Sequence, residues 1–475
     1  MSQPKTLVMK FGGTSVGSAA AMSAGVRIVR TAREEFPNVA VVVSALSGIT
    51  NLLLENAARA VSGDLSRLES SADQLHSSHL SIAQALIPRI NDRQDTMAQI
   101  EELAAVFTDL CRAMSVLGES SPRALDAVAS LGERMSARLF AAVLRSAGVD
   151  SNFVEATELI ITNNHFQNAH PDMTLTTERT RSLIMPLFGR GAVPIITGFI
   201  GATPEGVITT LGRGGSDYSA GIIGAVLPAD DVWIWTDVDG IMTADPRLVP
   251  DARTLPEVTY SEVAELAYYG AKVLHPKTIR PVVDAGIGLR ICNTFNPSSP
   301  GTRLVANSQG NGGPRGGRVV KAVTAIKNQK MVTIEGRGML GVPGVAARAF
   351  GAVASTGTSV PLITQASSEQ SICFAVPSES AGSVMSALQK SFATELEDND
   401  IDRIWITDDI SIITVVGARM RSTPGVAGLV FGKLGSKGVN VLAIAQGSSE
   451  VSISMVVDSA DTEKAVISLH ELITD

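Results

Sequence analysis

The stretch LVMKFGGTSVG, residues 7–17, joins a short apolar run to a glycine-rich turn and then to a helical segment. Further short apolar runs, bounded by glycine, proline or charged residues, predict buried strands at 39–43, 194–197 and 232–235. Longer helical patterns lie at 19–36, 49–61, 64–118 and 124–147. Because strands alternate with helices, the pattern predicts a mostly parallel sheet sandwiched by helices, an α/β domain of roughly 300 residues.

A glycine-rich segment, NSQGNGGPRGGR at 307–318, separates this domain from the rest of the chain and predicts a linker. Beyond it lies an internal repeat: when 342–378 is aligned with 423–459, 18 of the 37 residue pairs are identical. Each copy predicts the order strand, loop, helix, strand, turn, strand, helix, and two such small units are expected to pack together. An unpaired strand at 321–327 is a candidate for completing the second unit.

Composition and charge restrict the class of protein. The 475 residues are 45% hydrophobic and 18% charged, which excludes a disordered chain. Lys and Arg number 39 against 47 Asp and Glu, and this net charge of −8 argues against a nucleic-acid-binding protein. No apolar run reaches the ~18 residues of a membrane span, so we expect no membrane association.

The cysteines and the N-terminus indicate the compartment. Cys111, Cys292 and Cys373 are widely spaced and form no CxxC pair, so we expect neither a disulfide framework nor a cysteine zinc site. The N-terminal apolar run stops at Lys10 and does not resemble a secretory signal. We therefore expect a cytoplasmic location.

Three glycine-rich loops follow strands and precede helices in the α/β domain: KFGGTS at 10–15, SALSGIT at 44–50 and LGRGGSD at 211–217. Glycine lets backbone N–H groups approach an anion, the helix N-terminus adds positive potential, and Lys10 and Arg213 add full charges. Taken singly, the first loop also fits a plain strand–helix connection, and the third fits a hairpin tip with a solvated Arg. Together they predict one cleft at the carboxyl edge of the sheet, suited to phosphoryl transfer.

Other catalytic motifs are missing from the sequence or weak. The P-loop pattern GxxxxGK[ST] and the protein-kinase HRD and DFG motifs do not occur. His76 and His79 lie three residues apart on a predicted helix, and without further ligands we expect them at the surface. His275 and His470 have no evident nucleophile or metal partner. GRGMLG at 336–341 satisfies GxGxxG, but no acidic residue follows at the spacing that ribose recognition needs, so we expect a structural turn.

Six motifs resemble those of the aspartokinases, in the order and spacing of that family. They are KFGGTSVG at 10–17, SALSGITN at 44–51, GERMS at 132–136, TLGRGGSDYSA at 210–220, WTDVDGIMTADPR at 235–247 and YGAKVLHPKTI at 269–279. The resemblance covers nearly the whole chain and looks especially close to the kinase half of the bifunctional aspartokinase–homoserine dehydrogenases. Since the sequence ends at Asp475, we expect no dehydrogenase part in it.

The resemblance implies a fold for each part of the chain. Residues 1–304 look like an amino acid kinase catalytic domain, followed by a linker at 305–320. The repeats look like paired ACT domains, which are ferredoxin-like βαββαβ units that bind effector amino acids in that family. The first ACT domain would span 321–407 and the second 408–475, with 321–327 as the candidate strand that completes the second.

The resemblance also implies a reaction. The γ-phosphoryl group of ATP would be transferred to the β-carboxylate of L-aspartate, giving 4-phospho-L-aspartate, the first step of the lysine, threonine and methionine branch. Mg²⁺ is expected with ATP, bound mainly by phosphate oxygens and water, so no protein ligand is implied. A general base is hardly needed, because the acceptor carboxylate is already ionised at pH 7.

The motif matches assign roles to single residues. Lys10 would bridge the transferring phosphoryl group, and Asp217 would hold Lys10 in place. Arg213 would clamp a carboxylate of aspartate and Glu133 would pair with its ammonium, although from the sequence alone Glu133 also fits a solvated helix residue. The substrate pocket would be completed by Thr50, Gly214, Gly215 and Ser216. Besides Lys10, the residues implied at ATP are Gly12, Gly13, Thr14, Ser15, Thr236, Asp237, Arg247, Lys272 and Val273, with a turn at Asp245-Pro246.

The repeats would hold the effector. The residues implied are Gln365 and Ser368 in the first copy and Gln446 and Ser449 in the second; plain polar β-turns are the alternative. The QxSSE form resembles that of threonine-responsive relatives, so threonine, lysine or both are the expected inhibitors. ACT domains commonly pair across a dimer, so a homodimer or larger homo-oligomer is expected.

Three other interpretations stay open. A kinase for glutamate, N-acetylglutamate or carbamate would share the fold, but GERMS, Arg213 and the ACT pair argue against it. A non-enzymatic amino-acid sensor would bind the effector without turnover; the set of Lys10, Glu133, Arg213 and Asp217 argues against a dead kinase domain. A dehydrogenase using GRGMLG would bind a nicotinamide cofactor, which we expect to be absent.

Overall fold

The computed structural model describes residues 4–269, 274, 276–306, 319–339, 342–365, 370–418, 420, 422–446 and 451–474. The chain divides into two compact units, and each is contributed by several segments. The first unit takes the described parts of Met1–Ile241, Pro256–Tyr260 and Leu274–Ser308. The second takes those of Met242–Leu255, Ser261–Val273 and Gln309–Asp475.

A mostly parallel sheet forms the centre of the first unit. The strands are β1 (Thr6–Phe11), β2 (Asn38–Val43), β3 (Ser151–Val154), β4 (Val193–Thr197), β5 (Ile200–Ala202), β6 (Ile208–Thr210), β7 (Asp231–Thr236), β8 (Glu257–Thr259), β9 (Gly288–Asn293) and β10 (Thr302–Val305). Among the described residues, β5 pairs with β6 in a separate hairpin, and the others form one sheet in the order β3-β4-β2-β1-β7-β9-β10-β8. The β9–β10 pair is antiparallel, whereas β1 is parallel to both β2 and β7.

Helices cover this sheet. They are α1 (Gly13–Val16), α2 (Ala19–Glu35), α3 (Ile49–Val61), α4 (Leu68–Leu86), α5 (Ile90–Leu117), α6 (Pro122–Ser146), α7 (Met173–Gly189), α8 (Gly215–Val226) and α10 (Pro276–Asp284). The intervening helix α9 (Tyr260–Tyr268) belongs, apart from Tyr260, to the second unit. The predicted α/β fold class is confirmed, and each of the four predicted strands is present and one to three residues longer than expected. The helical region predicted at 64–118 is two helices, because Pro88 cannot continue the ladder of α4.

The central strand β1 places Lys10 near the carboxyl end of the sheet. All six of its residues are buried, as expected for a strand covered on both faces. Leu7, Met9 and Phe11 belong to the main apolar cluster of this unit. Successive side chains of a strand alternate between faces, so Lys10 lies on the other face, one residue before the carboxyl end of the strand.

An antiparallel sheet forms the second unit. Its strands are β11 (Ala322–Glu335), β12 (Leu362–Gln365), β13 (Ser371–Pro377), β14 (Arg403–Val416), β15 (Ala443–Ala445) and β16 (Ser452–Asp458), in the order β12-β13-β11-β14-β16-β15. Its helices are α11 (Val345–Ser355), α12 (Ala381–Ser391), α13 (Ala393–Glu397), α14 (Val426–Ser436) and α15 (Thr462–Thr474). Both repeats therefore have the predicted order of strand, helix, strand, strand and helix.

Two long strands join the repeats into one sheet. The first half of β11, residues 322–326, pairs with 412–416 of the second repeat, while residues 329–335 pair with 403–410 and with β13. The register shifts between Ile326 and Gln329, next to Asn328 with its left-handed φ of 57°. The candidate strand at 321–327 thus lies beside the second repeat. The domain boundaries around it stay a prediction.

The second unit also includes a segment from the middle of the chain, residues 242–255. Ala244 and Val249 lie in the same apolar cluster as the core of the second repeat. The backbone N–H of Val323 donates to the carbonyl of Thr243 at 2.8 Å, and the Thr243 hydroxyl lies 2.8 Å from Nε2 of His470. His470, which had no evident partner in the sequence, is therefore a buried packing residue of this unit.

Candidate functional site

The three glycine-rich loops of the first unit meet at one cavity of about 600 Å³. Lys10 and Gly13 line it from the first loop, residues 44–48 with Thr50 and Asn51 from the second, and residues 212–217 from the third. The first two loops follow β1 and β2, which are parallel neighbours, so their carboxyl ends lie side by side. This is the cleft that the loop positions predicted. Of the expected substrate and catalytic residues, it is lined by Lys10, Thr50, Glu133, Arg213, Gly214, Gly215, Ser216 and Asp217.

Lys10 and Asp217 form an ion pair inside this cavity. Nζ of Lys10 lies 2.6 Å from Oδ1 of Asp217, and their side chains are 11% and 18% exposed. Asp217 is in the first turn of α8, where a carboxylate is favoured by the helix dipole. A Cβ on Gly12 would lie 3.4 Å from Lys10 Nζ, so glycine leaves the ammonium accessible from that side. Asp217 thus holds the Lys10 ammonium at a fixed position on the cavity wall.

Glu133 is a buried carboxylate without a counterion of its own in the site. It lies on α6, is 4% exposed, and its Oε2 has no hydrogen-bond partner among the described residues. Burial raises the pKa of Glu133 to about 8, although the backbone N–H of Ala45 and the charge of Lys10 act in the opposite direction. A buried hydrogen-bond acceptor without a donor destabilises the fold, so this oxygen is suited to bind a cationic group of a ligand.

Gly132 explains how Glu133 reaches the second loop. A Cβ at this position would lie 2.7 Å from the Ala45 side chain, closer than two carbon atoms can approach. Glycine thus allows α6 to pack directly against the loop at 44–48. The neighbouring Glu133 side chain can then accept from Ala45.

The third loop presents Arg213 on a backbone shaped by glycine. Gly212 and Gly214 have φ values of 80° and 70°, a left-handed conformation that side chains disfavour. A Cβ on Gly215 would lie 2.5 Å from the Phe199 ring, so the start of α8 packs tightly on that ring. Arg213 itself is exposed and lines the cavity, where its planar guanidinium can bind a carboxylate in a bidentate manner.

Two residues predicted at ATP use their hydrogen-bond donors within the protein. The Ser15 hydroxyl donates to the carbonyl of Trp235 at 3.2 Å and accepts from Thr294, while its N–H donates to Gly12 O at 2.9 Å. The N–H of Gly12 donates to the same Trp235 carbonyl at 3.1 Å. These contacts join β1 to β7, so Ser15 and Gly12 hold the first loop against the neighbouring strand. The sequence placed both residues in the first loop but did not reveal these hydrogen-bond partners.

Of the other residues predicted at the nucleotide, those that the structure describes lie outside the cavity lining. Thr236 ends β7 and its hydroxyl donates to Asp237 Oδ1 at 3.2 Å. Thr14 belongs to α1 without lining the cavity. Arg247 belongs to the second unit, is exposed, and pairs with Asp245 at 2.6 Å, which lowers the pKa of that carboxyl. The predicted turn at Asp245-Pro246 is confirmed by bonds from the N–H groups of Leu248 and Val249 to Asp245 O. Lys272 and Val273 lie outside the described residues.

The expected effector residues occupy matching places in the two repeats. Gln365 is the last residue of β12 and Gln446 directly follows β15, and both are exposed. Ser368 and Ser449, with the rest of each SSE motif, lie outside the described residues. Effector binding at these positions stays a prediction.

Three expectations about other motifs can be assessed. His79 is buried, contrary to the predicted surface position, because it lies on the same face of α4 as Leu75 and Ile82 of the main apolar cluster; its Nδ1 lies 2.7 Å from Leu75 O, and burial lowers its pKa to about 4. His76 instead pairs with Glu101 at 3.0 Å. Arg337–Met339 form a 3₁₀ turn, as expected for a structural GRGMLG, and a Cβ on Gly336 would lie 2.4 Å from Asp400 O. Leu340, Gly341 and His275 are outside the described residues.

Sequence reasoning missed Asp126 and Gln167, which also line the cavity. Asp126 precedes Glu133 by seven residues on α6, two helical turns, and so lies on the same face. The seven-residue spacing in the sequence therefore indicates that Asp126 and Glu133 share a helix face. Gln167 lies in an irregular segment between β3 and α7, where no periodicity points to a site.

No group of three or more His, Cys, Asp or Glu in the part of the chain that the structure describes is arranged to hold a metal ion. Within the same residues, no helix is long and apolar enough to cross a membrane.

Comparison with known proteins identifies the family. The amino acid kinase family model matches residues 5–293, and an ACT domain model matches 332–392 and 413–472. Aspartokinase 2, chloroplastic, of Arabidopsis thaliana is 33% identical over 473 residues, and the match covers 98% of this chain and 84% of that protein. The chain belongs to the aspartokinase family.

Solved aspartokinase structures share the fold along the whole chain. Escherichia coli aspartokinase III in complex with aspartate and ADP (R-state) is 32% identical with a TM-score of 0.79, covering 99% of this chain and 100% of that one. The same protein in complex with lysine and aspartate (T-state) matches with the same identity, coverage and TM-score. The predicted pairing of an amino acid kinase fold with ACT domains is therefore confirmed for this chain.

The bifunctional relatives extend beyond the region that matches this chain. The bifunctional aspartokinase/homoserine dehydrogenase of Daucus carota is 36% identical over 466 residues, which cover 98% of this chain and 50% of that protein. The chain thus spans about half the length of the bifunctional relatives it matches.

Proposed function

We propose that this chain is an aspartate kinase, which transfers the γ-phosphoryl group of ATP to the β-carboxylate of L-aspartate. The observation that carries the proposal is Glu133, a buried carboxylate whose Oε2 has no partner among the described residues, in the same cavity as Arg213 and the Lys10–Asp217 pair. An amino acid with an acidic side chain offers one ammonium and two carboxylates. At this cavity Glu133 offers a carboxylate oxygen without a partner among the described residues, Arg213 offers a guanidinium, and Lys10 offers an ammonium that Asp217 holds in place.

The acceptor would be held by its charged groups. Glu133 would accept from the substrate ammonium, and Arg213 would bind one carboxylate. Thr50, from the first turn of α3, and Ser216, from the first turn of α8, add hydroxyls at the cavity wall, and Gly214 and Gly215 add backbone. Because the ammonium and one carboxylate of the substrate would each be held by a group of opposite charge, the β-carboxylate would be oriented for attack.

The phosphoryl donor would lie at Lys10. An oxygen of the β-carboxylate attacks the γ-phosphorus, the new P–O bond forms the acyl phosphate, and the bond to the ADP oxygen breaks with its electron pair going to ADP. No proton has to be removed, because the acceptor is ionised at pH 7. Lys10, held by Asp217, neutralises charge on the transferring group, while Gly12, Gly13, Thr14 and Ser15 shape the loop beside it.

The nucleotide would enter as its magnesium complex, in which the ion is bound by phosphate oxygens and water. The residues proposed at the nucleotide are Thr236, Asp237, Arg247, Lys272 and Val273. The support is the position of Thr236 at the carboxyl end of β7, next to β1 in the sheet. Open βα edges of this kind are where α/β proteins bind nucleotides.

Regulation by an amino acid is part of the proposal. The E. coli relative was solved with lysine, and the matching positions of Gln365 and Gln446 support an effector site in each repeat. Threonine, lysine or both are the proposed effectors, the proposed assembly is a homodimer or larger, and the pathway is the lysine, threonine and methionine branch. The proposed location is the cytoplasm, since all three cysteines are free.

The first experiment combines ATP, Mg²⁺ and L-aspartate with hydroxylamine, which traps the acyl phosphate as a hydroxamate. Hydroxamate formation with aspartate, but not with glutamate, N-acetylglutamate or carbamate, is the expected result. Suppression by threonine or lysine would also identify the effector. If none of these acids yields product while threonine or lysine still binds, the chain is an amino-acid sensor rather than a kinase.

A further inference from the structure

Asp126 is a second buried carboxylate in the proposed aspartate cavity, and its hydrogen bonds join three separate segments. It is 1% exposed and lies on α6, two turns before Glu133 on the same helix face. The desolvation that raises its pKa is opposed by hydrogen bonds from Gln167 and Thr210. In the described residues it makes no ion pair within 4.0 Å, so these uncharged donors alone stabilise its charge.

The donors come from positions 41 and 84 residues further along the chain. The N–H of Gln167 lies 3.1 Å and 3.0 Å from the two carboxylate oxygens. The N–H of Thr210 donates at 2.9 Å to Oδ2, and the Thr210 hydroxyl donates at 2.7 Å to Oδ1. One side chain therefore fixes the helix that carries Glu133, the segment around Gln167 and the strand that leads into the Arg213 loop.

Gln167 is held in a conformation that needs such support. Its φ is 66°, in the left-handed region that a residue with a side chain rarely adopts. Its carbonyl oxygen would lie 2.9 Å from a Cβ on Gly212, so the Arg213 loop packs directly on it. The N–H of Ala169 donates to Thr210 O at 2.9 Å and closes the same junction. A residue with an unfavourable backbone conformation keeps that conformation only when the contacts around it impose it.

We propose that Asp126 is a positioning residue of the proposed aspartate cavity. Its hydrogen bonds to Gln167 and Thr210 fix the position of the Arg213 loop relative to Glu133. This inference rests on the proposed function, because it assigns to Asp126 the alignment of the two groups that bind aspartate. Asp126 touches neither reacting group in this role. It determines the distance between Arg213, which would bind a substrate carboxylate, and Glu133, which would bind the substrate ammonium.

Asp126→Ala tests the inference, with Asp172→Ala as a matched control. Asp172 also accepts two backbone N–H bonds, as the N-cap of α7, but it is exposed and does not line the cavity. We expect Asp126→Ala to raise the KM for aspartate about tenfold or more, with kcat and the KM for ATP changed less than about threefold. Asp172→Ala should change the melting temperature alone.

Thr210→Val and Thr210→Ser test the same contact where Asp126→Ala fails to fold. Valine removes one donor and keeps the shape, whereas serine keeps the donor, so the KM for aspartate should rise in the first and be restored in the second. If every folded variant keeps the wild-type KM, or if the KM for ATP rises equally, Asp126 is a packing residue and the inference is wrong. If the wild-type chain itself gives no hydroxamate from aspartate, the proposed function fails instead.

Discussion

Replacing Glu133 by Gln removes the charge proposed to bind the substrate ammonium and keeps the shape of the side chain. In the protein without substrate, burial raises the pKa of Glu133 to about 8. The ionised fraction is then about 0.01 at pH 6 and about 0.5 at pH 8. Since the ammonium binds the ionised form, the wild-type KM for aspartate should fall about fiftyfold as the pH rises from 6 to 8.

Glu133→Gln has no charge to titrate, so its KM for aspartate should be nearly flat over this range. At pH 8 it should exceed the wild-type value about 10- to 150-fold, because a hydrogen bond to a charged group contributes about 1.5–3 kcal/mol. The assay is hydroxamate formation at saturating ATP and varied aspartate. Glu158→Gln is the control, since Glu158 is exposed and not part of the cavity lining. A wild-type KM independent of pH, or a variant that retains the dependence, would refute the reasoning.

Three further predictions concern the loops and the repeats. Lys10→Ala should lower kcat about 10²- to 10³-fold by removing charge stabilisation, whereas Lys5→Ala, at an exposed lysine, should not; normal turnover in Lys10→Ala would exclude the role. Gln446→Ala should raise the concentration of threonine or lysine needed for half-inhibition; unchanged inhibition would point to the first repeat. Gly132→Ala should destabilise the fold by about 1–3 kcal/mol, because its Cβ would lie 2.7 Å from Ala45. Its control is Gly189→Ala at an open position, and equal melting temperatures would contradict the packing argument.

The sequence was sufficient to predict four strands of the main sheet and the three glycine-rich loops. Short apolar runs and glycine turns located β1 and the loop after it, because strand and loop patterns are local properties of the chain. The repeat located the second unit, since 18 identities in 37 pairs require no structure to see. Lys10, Glu133, Arg213 and Asp217 were named from motifs, and the structure brings all four to one cavity.

Contacts between distant segments could not be predicted in this way. Nothing local shows that Ser15 donates to Trp235 across 220 residues, or that His79 faces the apolar side of α4. The long strand β11 likewise appeared in the sequence only as a short strand at 321–327, because the register shift next to Asn328 interrupts the pattern.

The sequence by itself determined which side chains carry charge, where the glycine loops lie and which segments repeat. Only the tertiary structure decided that Glu133 has an oxygen without a partner and that Asp126 joins Gln167 to Thr210. The physical reason is that burial and hydrogen-bond satisfaction depend on what packs around a group. Periodicity reports the face of an element, but the neighbours on that face come from anywhere in the chain.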